Sequence, residues 1–319
     1  MKNYLLIGNG LNRCLSASIA WGNLLKETAA EFGVEYNGAI PLPMEFEYLV
    51  NGFLKKNNDT KEDIYKRTKE SIAKRIRNTR LPAYAIHYQL KKIPVNGIIT
   101  TNYDSLLEQV YNSEYKYEGD KARKYLFNVT SIQNGIEFYH PHGMSENATS
   151  MCLGYEHYMG IVQHLRSAIN TKENKRMESM RIKRVLCEEI PYENTWGELF
   201  YTANIAIVGL GLTECETDLW WLITHRASLF YSNYCGIQEK MTNQITFYDV
   251  INNIKEDDEG KERERLRLIE QQKSRHRLLE NEHVEVRTFS LGSTYANYAE
   301  AYEAIIDNIK REGFSTCPA

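Results

Sequence analysis

No apolar run in the 319-residue chain approaches the ~20 residues that cross a bilayer. With 42% hydrophobic residues and a mean hydropathy of −0.52, a soluble protein without a membrane partner is expected. Neither sign of charge is in excess. The 39 basic and 42 acidic residues leave a net charge of −3, which excludes the broad basic surface of a protein that coats nucleic acid; no direct nucleic-acid partner is expected. The six cysteines, Cys14, Cys152, Cys187, Cys215, Cys235 and Cys317, form no C-x-x-C pair. That spacing argues against a zinc ribbon and a disulfide framework, and points to the reducing cytoplasm with no metal. Solenoid-period repeats and Pro/Gly/Ser-rich linkers are also missing, so residues 1–319 read as a single domain. The segment from Met1 to Gly8 has too short an apolar core and no small-residue cleavage site, so a first strand, not an export signal, is expected there.

Short buried apolar runs alternate with helical stretches. The runs are Tyr4–Gly8, Asn96–Thr101, Gly135–Tyr139, Ala203–Gly209, Ile245–Asp249 and Val284–Phe289, about six strands. Helices are expected at Asp104–Tyr111, Glu214–Arg226 and 258–281, and helical insertions at about 22–90 and 155–200. This alternation predicts an α/β, Rossmann-like doubly wound and mostly parallel sheet with helical insertions. In such a sheet ligands bind where the carboxyl ends of the strands meet their loops.

Three polar clusters fall at those ends. Gly8-Asn9-Gly10-Leu11-Asn12 follows the first strand and Gly209-Leu210-Gly211-Leu212-Thr213 the fourth; such turns let backbone N–H groups approach a pyrophosphate. Arg13 stands where a third glycine of the dinucleotide fingerprint belongs, and a plain tight turn remains equally open. Thr100-Thr101-Asn102-Tyr103-Asp104 sets polar side chains at the end of a buried strand. The simpler reading there is a helix start, with Asn102 capping and Asp104 complementing the dipole. His140-Pro141-His142-Gly143 ends the third strand, and because Pro141 stiffens the link, the two imidazoles cannot face one pocket equally. His142 is the expected base, with Gly143 leaving room for substrate, and His140→Ala is expected to keep most activity.

In order and spacing, Gly8-Asn9-Gly10, Thr100–Asp104 and His142-Gly143 resemble the SIR2-like, sirtuin-related NAD+ hydrolase domain of bacterial anti-phage defence proteins. Similarity continues through Trp196–Phe200, Ile205–Leu212 and Glu216–Leu222. The resemblance implies NAD+ as substrate, with Asn102 and His142 as the catalytic pair, and this agrees with the chemistry of the residues. Asn102 can orient the ribose or a water, Asp104 can hold the carboxamide, and His142 can act as general base. Gly8, Asn9, Gly10, Asn12, Thr100, Thr101, Tyr103, Gly209, Gly211 and Thr213 are the expected cofactor-binding residues. Sirtuin deacylases carry a four-cysteine zinc module and a G-I-P-D-F-R segment; here the cysteines are unpaired and the corresponding stretch runs from Leu15 to Trp21. The expected activity is therefore cleavage of the nicotinamide–ribose bond by an NADase, the NAD+-depleting effector of an abortive-infection system. Control is expected through a homo-oligomer or a separate sensor or regulatory protein. An NAD-dependent deacylase, an ADP-ribosyltransferase and a non-catalytic NAD or ADP-ribose sensor remain open.

Overall fold

The computed structural model describes all residues except 14–19, 58, 80–82, 84, 171–180, 233 and 315–319, and the side chains of 234 and 235. The element order is β1 (Lys2–Ile7), α1 (Gly10–Arg13), α2 (Trp21–Glu31), α3 (Leu42–Leu54), α4 (Lys61–Thr79), α5 (Ala85–Leu90), β2 (Gly97–Thr100) and α6 (Leu106–Tyr111). It continues with β3 (Ser131–Gln133), β4 (Ile136–Tyr139), α7 (Tyr155–Asn170), α8 (Arg181–Leu186), α9 (Trp196–Thr202) and β5 (Ala203–Val208). It ends with α10 (Thr217–Ser232), β6 (Ile245–Asn252), α11 (Glu259–Asn281), β7 (Glu285–Leu291) and α12 (Tyr298–Glu312).

The sheet order is β3-β4-β2-β1-β5-β6-β7. All neighbours are parallel except β3 with β4. Without β3, this is the 3-2-1-4-5-6 order of the doubly wound Rossmann-like sheet, whose strand order reverses between β1 and β5. Burial on both faces explains the unbroken apolar runs. Along β1, Tyr4 and Leu6 pack with α7, α9 and α10, while Leu5 and Ile7 pack with α5, α6 and α12. The helices α2, α3 and α4 form a third cluster around Leu25, Phe46, Val50 and Ile72.

All six expected strands are present, and a seventh, β3, joins them. Gln133 pairs with Ile136 across a two-residue turn in which Asn134 and Gly135 have φ of 51° and 82°. Asn-Gly is the pair that tolerates two left-handed residues in a hairpin whose twist matches its strands. The signal was present but lay hidden in a strand only three residues long. Helix α6 begins at Leu106, not Asp104. Leu81-Pro82, within the first expected helical insertion, and Lys172–Arg176, within the second, lie outside the described residues.

The register aligns the strand ends. Ile7 pairs with both Thr100 and Val208, Ile99 with Tyr139, and Val208 with Tyr248. Residues far apart in sequence thus leave the sheet at one level, on one edge.

Candidate functional site

The two glycine turns meet at the reversal point. Gly8 N–H donates to the Val208 carbonyl at 3.0 Å and Gly10 N–H to the Gly209 carbonyl at 2.7 Å. A Cβ on Gly8 would lie 2.5 Å from the Gly209 oxygen, and one on Gly10 would lie 2.7 Å from the same atom and against the Tyr302 hydroxyl. These two glycines are therefore required by the contact of one turn with the other, whatever binds above them. Gly211 differs: a Cβ there meets only Thr213 Cγ2, at 3.5 Å. Gly211→Val should keep the wild-type melting temperature and weaken NAD+ binding about tenfold, ~1.4 kcal/mol. Gly10→Val should lower the melting temperature as well. Calorimetric titration and thermal melting of both variants check this, and full affinity in Gly211→Val would remove that turn from the binding surface.

Above the turns lies a cavity of about 610 Å³, within the range of small-molecule sites, that runs from the end of β2 across β1 and β5 to β6. Asn9, Gly10, Thr101, Asn102, Tyr103, Asp104, His142, Gly209, Gly211 and Thr213 all line it. Gly8, Asn12 and Thr100 do not; they support the wall from behind. The Thr100 hydroxyl donates to the Ile7 carbonyl at 2.9 Å and accepts the Asn102 N–H at 3.1 Å, tying the β2 end to β1. Asn12 donates through Nδ2 to Asp104 at 3.1 Å, and its Oδ1 lies 3.0 Å from His87 Nε2.

Asn102 does not cap a helix. Its backbone is fixed by Thr100 and His140, and its side-chain Oδ1 is buried with no hydrogen-bond partner among the described residues. Buried polar atoms are nearly always paired; this one lies unpaired inside the wall to which Asn102 contributes. Asp104 accepts the Leu106 N–H at 3.0 Å at the start of α6, the capping part that the simpler reading gave to Asn102. Burial raises its pKa to about 6 against the lowering effect of that N–H. The Tyr103 hydroxyl donates to the Cys152 carbonyl at 2.6 Å, which leaves its ring to form an aromatic wall with Trp21, centroids 5.6 Å apart.

The two histidines separate sharply. His142 lines the cavity, its backbone carbonyl accepting the Cys152 N–H at 2.7 Å. Its Nε2 lies 3.0 Å from one oxygen of Asp218, a wholly buried carboxylate in the first turn of α10. A carboxylate accepts, so Nε2 carries the proton and the neutral ring is basic at Nδ1. Burial disfavours the imidazolium, but Asp218 and then Glu216 outweigh it and raise the pKa of His142 above its usual value. His140 is wholly buried behind Asn102. Gly143 makes no room for substrate: it has φ of 84° and its α-carbon faces the Ser150 backbone, so a side chain would both clash and be strained.

Sequence reasoning missed Asp218, Glu216 and Arg13. Asp218 and Glu216 lay within the stretch carrying the resemblance but looked like ordinary first-turn acids. Arg13 counted only as a missing glycine, yet it brings a guanidinium to the cavity wall. Cys152, Cys187 and Cys215 are free thiols. Among the described residues, no group of three or more His, Cys, Asp or Glu could hold a metal ion, and no helix is long and apolar enough to cross a membrane.

A cavity at the strand carboxyl ends, over the reversal point of a doubly wound sheet, is where such folds bind their ligands. Residues 96–214, from β2 to the turn after β5, match the family model of the SIR2-like domain. Over that part of its length the chain is similar to the SIR2-like domain, which is consistent with NAD-related catalytic or sensing roles in general. No curated protein matches the chain. The matched region contains Asn102, Asp104, His140 and His142; Gly8-Asn9-Gly10 and Asp218 lie outside it.

Proposed function

We propose that the protein is an NAD+ glycohydrolase. The observation that carries this reading is one cavity wall that combines Asn102, whose buried carboxamide oxygen has no partner among the described residues, with an imidazole held by a buried carboxylate. Asp104, Glu216 and Asp249 line the same cavity and suit the cationic nicotinamide ring, while Arg13 suits a pyrophosphate.

The chemistry asks little beyond orientation and nearby polar groups, because the leaving group is already cationic. Water attacks the anomeric carbon as the C–N bond breaks, and the bonding pair neutralises the nicotinamide nitrogen. Asn102 orients the ribose or the water. Nδ1 of His142 accepts the water proton and passes it to solvent. One NAD+ and one water yield nicotinamide, ADP-ribose and a proton.

Purified protein mixed with NAD+ alone should release nicotinamide; release only in the presence of an acylated or acceptor protein would turn the reading to a deacylase or transferase. We place the activity in NAD+ depletion during anti-phage abortive infection, under control of self-assembly or a separate partner, on the strength of the resemblance. NAD+ consumption in cells with and without the neighbouring gene's product tests that role, and equal consumption would remove the partner.

The pH profile follows from the His142 pair. A base must be unprotonated, and its pKa lies above the usual ~6.5, so activity should fall on acidification with a midpoint above that value. Asp218→Asn removes the larger of the two charges that hold the pKa up and leaves burial opposed by Glu216 alone. The midpoint should then move to lower pH, and turnover should fall because an amide N–H facing Nε2 favours the wrong tautomer. An unmoved midpoint in kcat profiles would exclude His142 as the titrating base.

A further inference from the structure

His140 and Glu108 sit outside the cavity, directly behind Asn102, and both are wholly buried. His140 Nδ1 lies 3.1 Å from the Asn102 carbonyl oxygen, and Nε2 lies 2.7 Å from Glu108 Oε1. We propose that His140, held by Glu108, is a positioning residue for Asn102: it fixes the backbone that carries the carboxamide into the cavity. The proposal rests on the hydrolase reading for the meaning of that position.

A carbonyl oxygen only accepts, so Nδ1 carries a proton and donates. The hydrogen bond of 2.7 Å between Nε2 and Glu108 Oε1 holds the other side of the ring, and the two bonds together fix its plane. Burial opposes the charged ring, while Glu108 and Glu146 favour it, with the net effect of raising the pKa of His140; Asp104 is also near enough to interact with it. The other oxygen of Glu108 has no partner among the described residues, so His140 is the sole side chain securing that carboxylate there. Glu108 lies on α6, the helix whose first residue, Leu106, also donates to Asp104. A single helix therefore supports two of the candidate site residues, Asp104 directly and Asn102 through His140.

A pair kept only to fill space would be a poor choice, because apolar side chains of similar volume commonly replace buried ion pairs without loss of stability. That property supplies the test. In the double variant Glu108→Leu/His140→Phe, no buried charge is left unpaired, but the donor to the Asn102 carbonyl is gone. The expected result is a folded protein with a melting temperature near wild type, because the stranded Asn102 carbonyl offsets what replacing the pair gains, with kcat for nicotinamide release reduced at least tenfold and KM within about twofold. Wild-type kcat in the folded double variant would overturn the proposal. A second measurement stands apart from folding of the variant: in 15N-histidine-labelled wild-type protein, Nδ1 of His140 should stay protonated to pH 8, and an unprotonated Nδ1 would equally overturn it. If the wild-type protein itself leaves NAD+ intact, the hydrolase reading fails and the positioning role is read from the Asn102 side-chain amide resonances. These shift in the double variant if the pair sets the carboxamide and stay in place if it does not.

Discussion

His142→Ala is expected to abolish measurable nicotinamide release, with kcat falling about 10²- to 10⁴-fold, the range carried by a positioned general base. Alanine also strands Asp218, and removing one partner of a buried pair costs about 3–5 kcal/mol. His142→Gln separates the two effects, since its amide N–H can serve Asp218 while offering no base at neutral pH. Its melting temperature should stay near wild type while turnover is still lost. Substantial turnover in folded His142→Gln would remove the base from the mechanism. His140→Ala, expected from sequence to keep most activity, is a poor comparison for His142→Ala because His140 is the buried partner of Glu108. That substitution leaves Glu108 buried without its partner, so lost activity there would report on folding as well as on chemistry.

Asn102→Ala carries the second large effect, and its signature is the opposite sign of two measurements. The unpartnered Oδ1 is a buried polar atom whose desolvation costs about 1–3 kcal/mol, so its removal should leave stability unchanged or raised. Turnover should fall ~10²-fold or more with little change in NAD+ affinity, because the carboxamide acts on the orientation reached in the transition state. A group that weakens the fold while serving the site fits the trade-off between stability and activity. Steady-state kinetics, calorimetry and thermal melting on one preparation check all three terms. Unchanged turnover would return Asn102 to a structural role.

The fold was legible because buried parallel strands write themselves as apolar runs ended by glycine or by polar clusters, as in Tyr4–Gly8 and Ala203–Gly209. The wall of the cavity was legible for the same reason: a doubly wound sheet directs chemistry to strand ends, and Thr101–Asp104 and His142 sit there. The partners of those residues were not. Asp218 is 76 positions from His142 and Glu108 is 32 from His140, and on their own helices both acids look like solvated charges. Only the aligned ends of the strands reveal that each is buried against an imidazole. The glycines fall at the strand ends, but packing accounts for three of them: Gly8 and Gly10 accommodate the second turn at Gly209, and Gly143 accommodates Ser150.

The central claim is that this cavity cleaves NAD+ with water as the acceptor. Its most direct test is a time course of purified protein with NAD+ as the only substrate, separated chromatographically and run beside His142→Gln and Asn102→Ala. The account predicts nicotinamide and ADP-ribose appearing in equal amounts as NAD+ disappears, with both variants folded and inactive. NAD+ that binds but stays intact in the wild-type sample would contradict it and assign the site to sensing.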